Sequence, residues 1–432
     1  MKTLLFAVGV AAIASAAPKS SVTFSKDVAP VLQNNCQGCH RPGESAPFSM
    51  LTFQETRPWA KAIKQAVVSQ KMPPWFADPK YGHFRNDRSM SQADRDTIVN
   101  WVDAGAPEGN PKDLPKPVAF VEGWNIGKPE LTLEMPSAFQ IPAAGTVDYQ
   151  YVILPYKFTE DRWVTASEVR PGNRALVHHV IAFIREPNSK WGRDKQPGEI
   201  FVPELNKKGE RQGIAGDMLA GFAPGVPPGV MEPGRARLVK AGSDVVLQLH
   251  YTANGKAGED RTKVGIVFAK EPPKERVMSL GASTHDFTIP AGDPNYQVDA
   301  EFELGHDVKL VSLLPHMHFR GKDFEYRLVF PTGETQTVLR VPHYDFNWQL
   351  WYETQGDVVL PKGTKVSCTA HFDNSPNNKY NPDPTKAVKW GDQTWEEMMI
   401  GFFDVAFPAD MDPKQLFPEK KKEQPRTNGA AN

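Results

Sequence analysis

The chain has 432 residues, with 50 basic and 51 acidic side chains and a formal net charge of -1. That balance excludes the electrostatic footprint of a protein built for nucleic acid or an anionic surface, and the length allows two or three domains. Thirty-nine prolines and 33 glycines favour short strands and many turns over long helices.

Met1 to Ala17 reads as a secretory signal. Lys2 supplies the positive charge, Leu4 to Ile13 is apolar, and Ala14-Ser15-Ala16 matches a small-x-small cleavage site. The run is too short to span a bilayer, and no later segment is apolar enough to do so. The expectation is a periplasmic or secreted protein with no membrane span. Two of the three cysteines form one motif, leaving Cys368 alone, so no internal disulfide is expected. Val366 and Ala370 flank Cys368 at period two, which suits a buried strand residue.

Residues 20–110 read as a small helical domain. Ser25 can cap a first helix with Val28, Val31 and Leu32 on one face. The helix runs into Cys36-Gln37-Gly38-Cys39-His40. Two thiols at C-x-x-C spacing can form thioethers to haem vinyl groups, and the adjacent His40 then lies under the iron. Met72, in Lys71-Met72-Pro73-Pro74-Trp75 after a helix over 55–69, is the expected second axial ligand, with His83 as competitor. A last helix runs from Ser91 to about Ala104, with Ser91 and Asp94 spaced as in a capping box and Gly105 and Pro107 ending it. This layout resembles a small all-α class I cytochrome c. A linker rich in proline and lysine follows at 111–130.

From Leu131 the pattern changes to strands. Residues 147–154, 244–252, 302–314 and 365–372 read as strand-forming, separated by turn clusters. Two all-β antiparallel sandwich domains, jelly-roll-like, are expected at 131–275 and 280–412, with a disordered tail at 413–432.

The candidate metal ligands lie in this half. His178 and His179 are adjacent in an apolar strand, so one metal takes both only if the strand ends, bulges or twists there. His250 stands in Leu247-Gln248-Leu249-His250-Tyr251. His316 and His318 alternate, so both imidazoles can reach one metal while Met317 faces away. Met398 lies in Trp395–Phe403, read as another strand, with Met399 beside it. His285, His306, His343 and His371 read as structural or supporting.

The order H-H, L-Q-x-H-Y, H-x-H and a late methionine resembles the copper type II, ascorbate-dependent monooxygenases, which include the peptide-amidating and dopamine-hydroxylating enzymes. Trp390-Gly391-Asp392-Gln393-Thr394-Trp395-Glu396-Glu397-Met398-Met399 is similar to the closing motif of the bacterial branch, in which a cytochrome c domain precedes the module. The resemblance covers about 130–410. It implies one electron-transfer copper on His178, His179 and His250. It implies a second, oxygen-binding and catalytic copper on His316, His318 and Met398, chosen over Met399. It further implies an organic substrate, O2 and external electrons from ascorbate or through a fused haem c on Cys36, Cys39, His40 and Met72. Two departures bear on the substrate: Leu314 and Phe402 stand where the peptide-amidating relatives carry an arginine and a tyrosine. A non-catalytic haem and copper electron-transfer or copper-binding protein is the alternative, and a zinc hydrolase is disfavoured by the thioether.

Overall fold

The computed structural model describes residues 22–206, 211, 213–214 and 216–418. The expected signal segment at 1–17 and most of the expected tail lie outside the described residues. The described chain divides into two compact units. One comprises residues up to Pro42 with Phe48–Pro73 and Ser89–Ala119; the other comprises Gly43–Pro47, Pro74–Arg88 and the chain from Phe120 onward.

The expected all-α class I cytochrome c domain over 20–110 is not what forms. The α-helices of that range are short: Ala29–Asn35, Phe53–Thr56, Ala60–Val68 and Gln92–Asp103. Turns and bends fill the stretch between Cys36 and Thr52. Pro74–Arg88 leaves the helical unit and joins the β unit, where Phe84 bridges Thr354 and packs on Trp75 and Tyr352. The residues explain the shortness. Arg41-Pro42-Gly43 and Met72-Pro73-Pro74 each lack helix-compatible backbone, since proline removes a donor and bars the preceding residue from the α region.

Within that unit Ile63, Val67, Ile98 and Trp101 close a small core with Phe24, Val28 and Leu32. Ser91 caps the last helix through the Asp94 N–H (3.1 Å), as its sequence predicts. Gly105 ends it at φ +89°, a conformation that favours glycine. Ser25 is no cap: its hydroxyl donates to the Glu108 carbonyl.

The β unit is mostly β sandwich, with one core in each half and one sheet common to both. One nine-stranded sheet runs through both halves in the order Leu131–Glu134, Lys263–Phe268, Arg162–Arg170, Arg235–Val239, Glu275–Ser283, Ile400–Pro408, Val308–His316 and Tyr352–Leu360, with Gly229–Val230 on the side. Its halves join where Glu275 and Arg276 pair in parallel with Arg235 and Ala236; the other pairings along it are antiparallel.

Two smaller sheets cover this long one. A five-stranded sheet (Ile200–Phe201, Gln150–Ile153, Asp244–Tyr251, Val177–Arg185, Asp217–Phe222) encloses one core, with Val180, Leu247 and Leu249 against Val164, Val264 and Ile266. A four-stranded sheet (Tyr296–Glu303, Lys365–Phe372, Gly321–Val329, Thr335–Val341) encloses the other, with Phe324, Val366 and Cys368 against Leu310, Leu313 and Phe403. Each fully buried large apolar side chain contributes about 1.5–3 kcal/mol.

The strands of the five-stranded sheet are buried on both faces, which is why they read as nearly continuous apolar runs. Their second face carries Tyr149, Tyr151, Ile153, Ile181, Phe183 and Val246, packed with Leu314 and Phe402 of the other half. This third layer positions the histidines. Among the described residues, no helix is long and apolar enough to cross a membrane.

Candidate metal centre

Strand Val177–Arg185 pairs residue for residue with Asp244–Tyr251 from Arg185↔Asp244 to His179↔His250. The register then jumps to Val177↔Tyr251. His178 is the extra residue of a β-bulge. A regular strand would aim His178 and His179 to opposite faces; the bulge re-aims one of them. His178 Nδ1 consequently lies 3.1 Å from His179 Nδ1 and 3.2 Å from His250 Nδ1. Among the described residues, these three form a group of possible metal ligands lying within 4.8 Å of one another.

The convergence has a chemical meaning. A neutral imidazole carries one donor and one acceptor, so three Nδ1 atoms cannot all satisfy each other. An ion bound tetrahedrally at roughly 2.0–2.1 Å would hold three nitrogens about 3.3 Å apart. The observed spacing fits such an ion.

His316 ends the strand Val308–His316, and His318 follows in the turn, with ring centroids 5.2 Å apart. His316 Nδ1 lies 2.8 Å from Gln349 Oε1, and His318 Nδ1 lies 3.2 Å from the Glu396 carbonyl oxygen. With Nδ1 the donor in both, Nε2 carries the free lone pair. His318 Nε2 is buried without a hydrogen-bond partner, an atom that a metal ion would satisfy. The first set thus presents Nδ1 and the second Nε2.

Glu397 fixes the turn between the second pair and Met398. Its carboxylate is fully buried and accepts the backbone N–H groups of His318 (2.9 Å) and Arg320 (2.7 Å). Arg320 donates onward to Asn374 Oδ1 (2.8 Å) and the Trp395 carbonyl (2.9 Å). Burial raises the Glu397 carboxyl to about 8, opposed by the Arg320 contacts. Met398 precedes the strand Ile400–Pro408, so the expected strand over Trp395–Phe403 begins later, because the Glu397 clamp holds the chain off the sheet. Met399 is committed to the apolar core, whereas Met398 is half-buried outside it. Met317 is also in that core and faces away from the pair, as alternation predicts.

The two sets and two shared aromatic rings form one buried cluster. The Tyr149 ring centroid lies 4.7 Å from His250, 5.6 Å from His179 and 6.4 Å from His318. Phe346 stacks on His178 at 4.7 Å and lies 6.2 Å from His318. Burial pushes His178 and His316 down to about 4, opposed at His178 by Asp345 and at His316 by Gln349. His179, His250 and His318 lie well below the usual range, from burial first and neighbouring histidines second. All five imidazoles are therefore neutral at neutral pH. Leu314 and Phe402, at the two departures, make an apolar wall; Phe402 is 6.0 Å from His316.

The haem-motif residues lie in the helical unit. Cys36 follows helix Ala29–Asn35, and His40 Nδ1 lies 3.1 Å from the Phe48 carbonyl, which leaves the lone pair on Nε2. Burial pushes the Cys36 thiol up to about 12, aided by Cys39 and Asp94, which disfavours the thiolate a zinc or dithiol site needs. Met72 is half-buried beyond helix Ala60–Val68, its N–H on the Ala66 carbonyl. His83 belongs to the β unit.

The remaining histidines have ordinary partners. His371 pairs with Asp323 (2.7 Å), His285 stacks on Trp390, His306 meets the Asp307 carbonyl, and His343 is exposed. Cys368 is fully buried. Sequence reading missed Tyr149, Phe346, Gln349 and the Glu397–Arg320 clamp. Tyr149 carried a faint signal: continuing the pairing of Gln150 with Leu249 sets it beside His250. Phe346 and Gln349 carried none.

No protein-family model matches the chain, and no curated protein matches it. Among solved structures, that of the infectious bursal disease virus Gx strain is 11% identical over 66% of this chain and 74% of its own, at a TM-score of 0.18. An N-terminal tandem domain from Paenibacillus barcinonensis is 10% identical over 66% and 95%, at 0.13. Overlaps this low define no shared fold.

Proposed function

We propose that this chain is an exported copper-dependent monooxygenase that inserts one oxygen atom into a substrate C–H bond. The observation that carries the reading is the buried cluster in which two neutral, differently presented histidine sets pack on the same two aromatic rings. The resemblance of its ligand order to the copper type II monooxygenases supports the same assignment. Copper, when bound, supplies one-electron redox steps and activation of O2.

The chain's own residues do the rest. His178, His179 and His250 would hold the electron-transfer copper through Nδ1. His316 and His318, through Nε2, would hold the catalytic copper with Met398, whose thioether favours the reduced ion. Gln349 and the Glu396 carbonyl orient the second pair, and Glu397 holds their turn against the Met398 segment. Leu314 and Phe402 offer no charge to a substrate carboxylate and suit an apolar C–H-bearing group. The overall reaction consumes substrate, O2, two electrons and two protons, and yields the alcohol and water. Ascorbate, or a haem c held by Cys36, Cys39, His40 and Met72, would deliver the electrons.

The test is ascorbate-driven oxygen uptake by the copper-loaded chain across a substrate panel, with labelled O2 traced into product. Label in the product is expected in the unmodified protein. Met398→Ile is expected to lower turnover by at least ~100-fold while leaving any haem spectrum intact. Reversible redox chemistry without substrate-dependent uptake would overturn the proposal in favour of an electron carrier.

A further inference from the structure

Tyr149 immediately precedes the strand Gln150–Ile153. Its backbone N–H donates to Gln393 Oε1 (3.2 Å), a buried side chain of the segment that leads to Met398. Its ring touches His179 and His250 of one set and His318 of the other. The residue is 3% exposed, yet its hydroxyl has no hydrogen-bond partner. A neighbouring tyrosine on the same face behaves ordinarily: the Tyr151 hydroxyl accepts from Gln248.

An orphaned buried hydroxyl is uncommon and calls for a partner. The ring packs against histidines of both sets, so the hydroxyl it carries belongs to the same buried surroundings. A phenol is an O–H donor at neutral pH.

We propose that Tyr149 is a further functional residue of this cluster, whose hydroxyl donates a hydrogen bond to a small oxygen-bearing or anionic ligand held at the histidine sets. This rests on copper occupying those sets. Water is the ligand in the resting protein, and small anions compete for its place. No electron or bond changes hands in this step; the phenol keeps its proton and fixes the ligand's orientation. Phe346, in the same cluster, is apolar and supplies no such donor.

The experiment is an azide titration of the copper(II)-loaded full chain, followed by its charge-transfer absorption and by electron paramagnetic resonance. Tyr149→Phe removes only the hydroxyl and keeps the ring packed. It is expected to retain copper, to alter the resonance parameters and to weaken azide by about tenfold, as expected for one hydrogen bond to a charged acceptor. Site-specific replacement of Tyr149 by 3,5-difluorotyrosine keeps the hydroxyl as a stronger donor and is expected to tighten azide. Azide affinities within twofold of the unmodified protein in either variant would overturn the proposal. So would copper binding by the unmodified protein with no azide response. Failure of the unmodified protein to bind copper would instead overturn the copper reading.

Discussion

At the scale of single residues, burial is the dominant cause of chemistry in this chain. It makes five histidines neutral and leaves His318 Nε2 without a hydrogen-bond partner, and it acts on carboxylates too. Asp392, in the segment leading to Met398, is raised to about 6 by burial and by Glu396; the Gly213 N–H and Arg211 oppose the shift. An unperturbed aspartate titrates near 3.9. The folded state therefore binds more protons than the unfolded one between about pH 4 and 6, so stability falls as pH rises through that window. Asp392→Asn keeps an acceptor for Gly213 and removes the titration. Its stability relative to the unmodified protein should rise by up to about 3 kcal/mol from pH 4 to pH 7, as measured by urea unfolding at both pH values. A pH-independent difference would contradict this. Residue identity was the most legible level: His316, His318 and the H-H pair were visible as motifs. The partners that make them a site, Tyr149, Phe346 and Gln349, were not. Nothing in a residue's own neighbourhood reports a contact made across two sheets.

At the scale of elements, irregularities in strands create the site. The bulge at His178 answers the alternation problem that adjacent histidines raise, and the sequence could state that problem without deciding its solution. The late start of the strand at Ile400 was not legible, because Trp395–Phe403 is apolar enough to pair. What stops it is Glu397, drawn to the backbone of His318 and Arg320. This clamp gives a graded expectation. Glu397→Ala orphans the buried N–H groups of His318 and Arg320, a loss of about 2–4 kcal/mol. Copper affinity at the second set should fall by roughly 10–100-fold. Glu397→Gln, which keeps one acceptor, should retain part of both. Unfolding midpoints and copper titrations of the two variants check the order. Equal affinity in Ala and Gln would contradict the clamp. Element ends elsewhere were more legible: Lys365–Phe372 forms as read, and Ser91 caps its helix, since both depend on local pattern alone.

At the scale of the whole chain, the two sandwich halves are joined in a way that the sequence did not show. The two cores share a nine-stranded sheet, and the buried Arg237 pairs with Asp217 of the five-stranded sheet (2.9 Å) and Asp404 of the long one (2.7 Å). Period-two patterning reports which face of a strand is buried, not which strand lies beside it. The helical domain failed because its prolines and glycines leave only short helices and pass Pro74–Arg88 to the β unit. The meeting of His178, His179 and His250 is independent of these corrections, because it depends on one strand pair and its bulge. The most direct test of the central claim is X-ray absorption at the copper edge of the fully loaded, reduced chain. The account predicts two coppers per chain, with imidazole scattering from both and a sulfur contribution that Met398→Ile removes. A single copper, or a sulfur contribution that survives Met398→Ile, would contradict it.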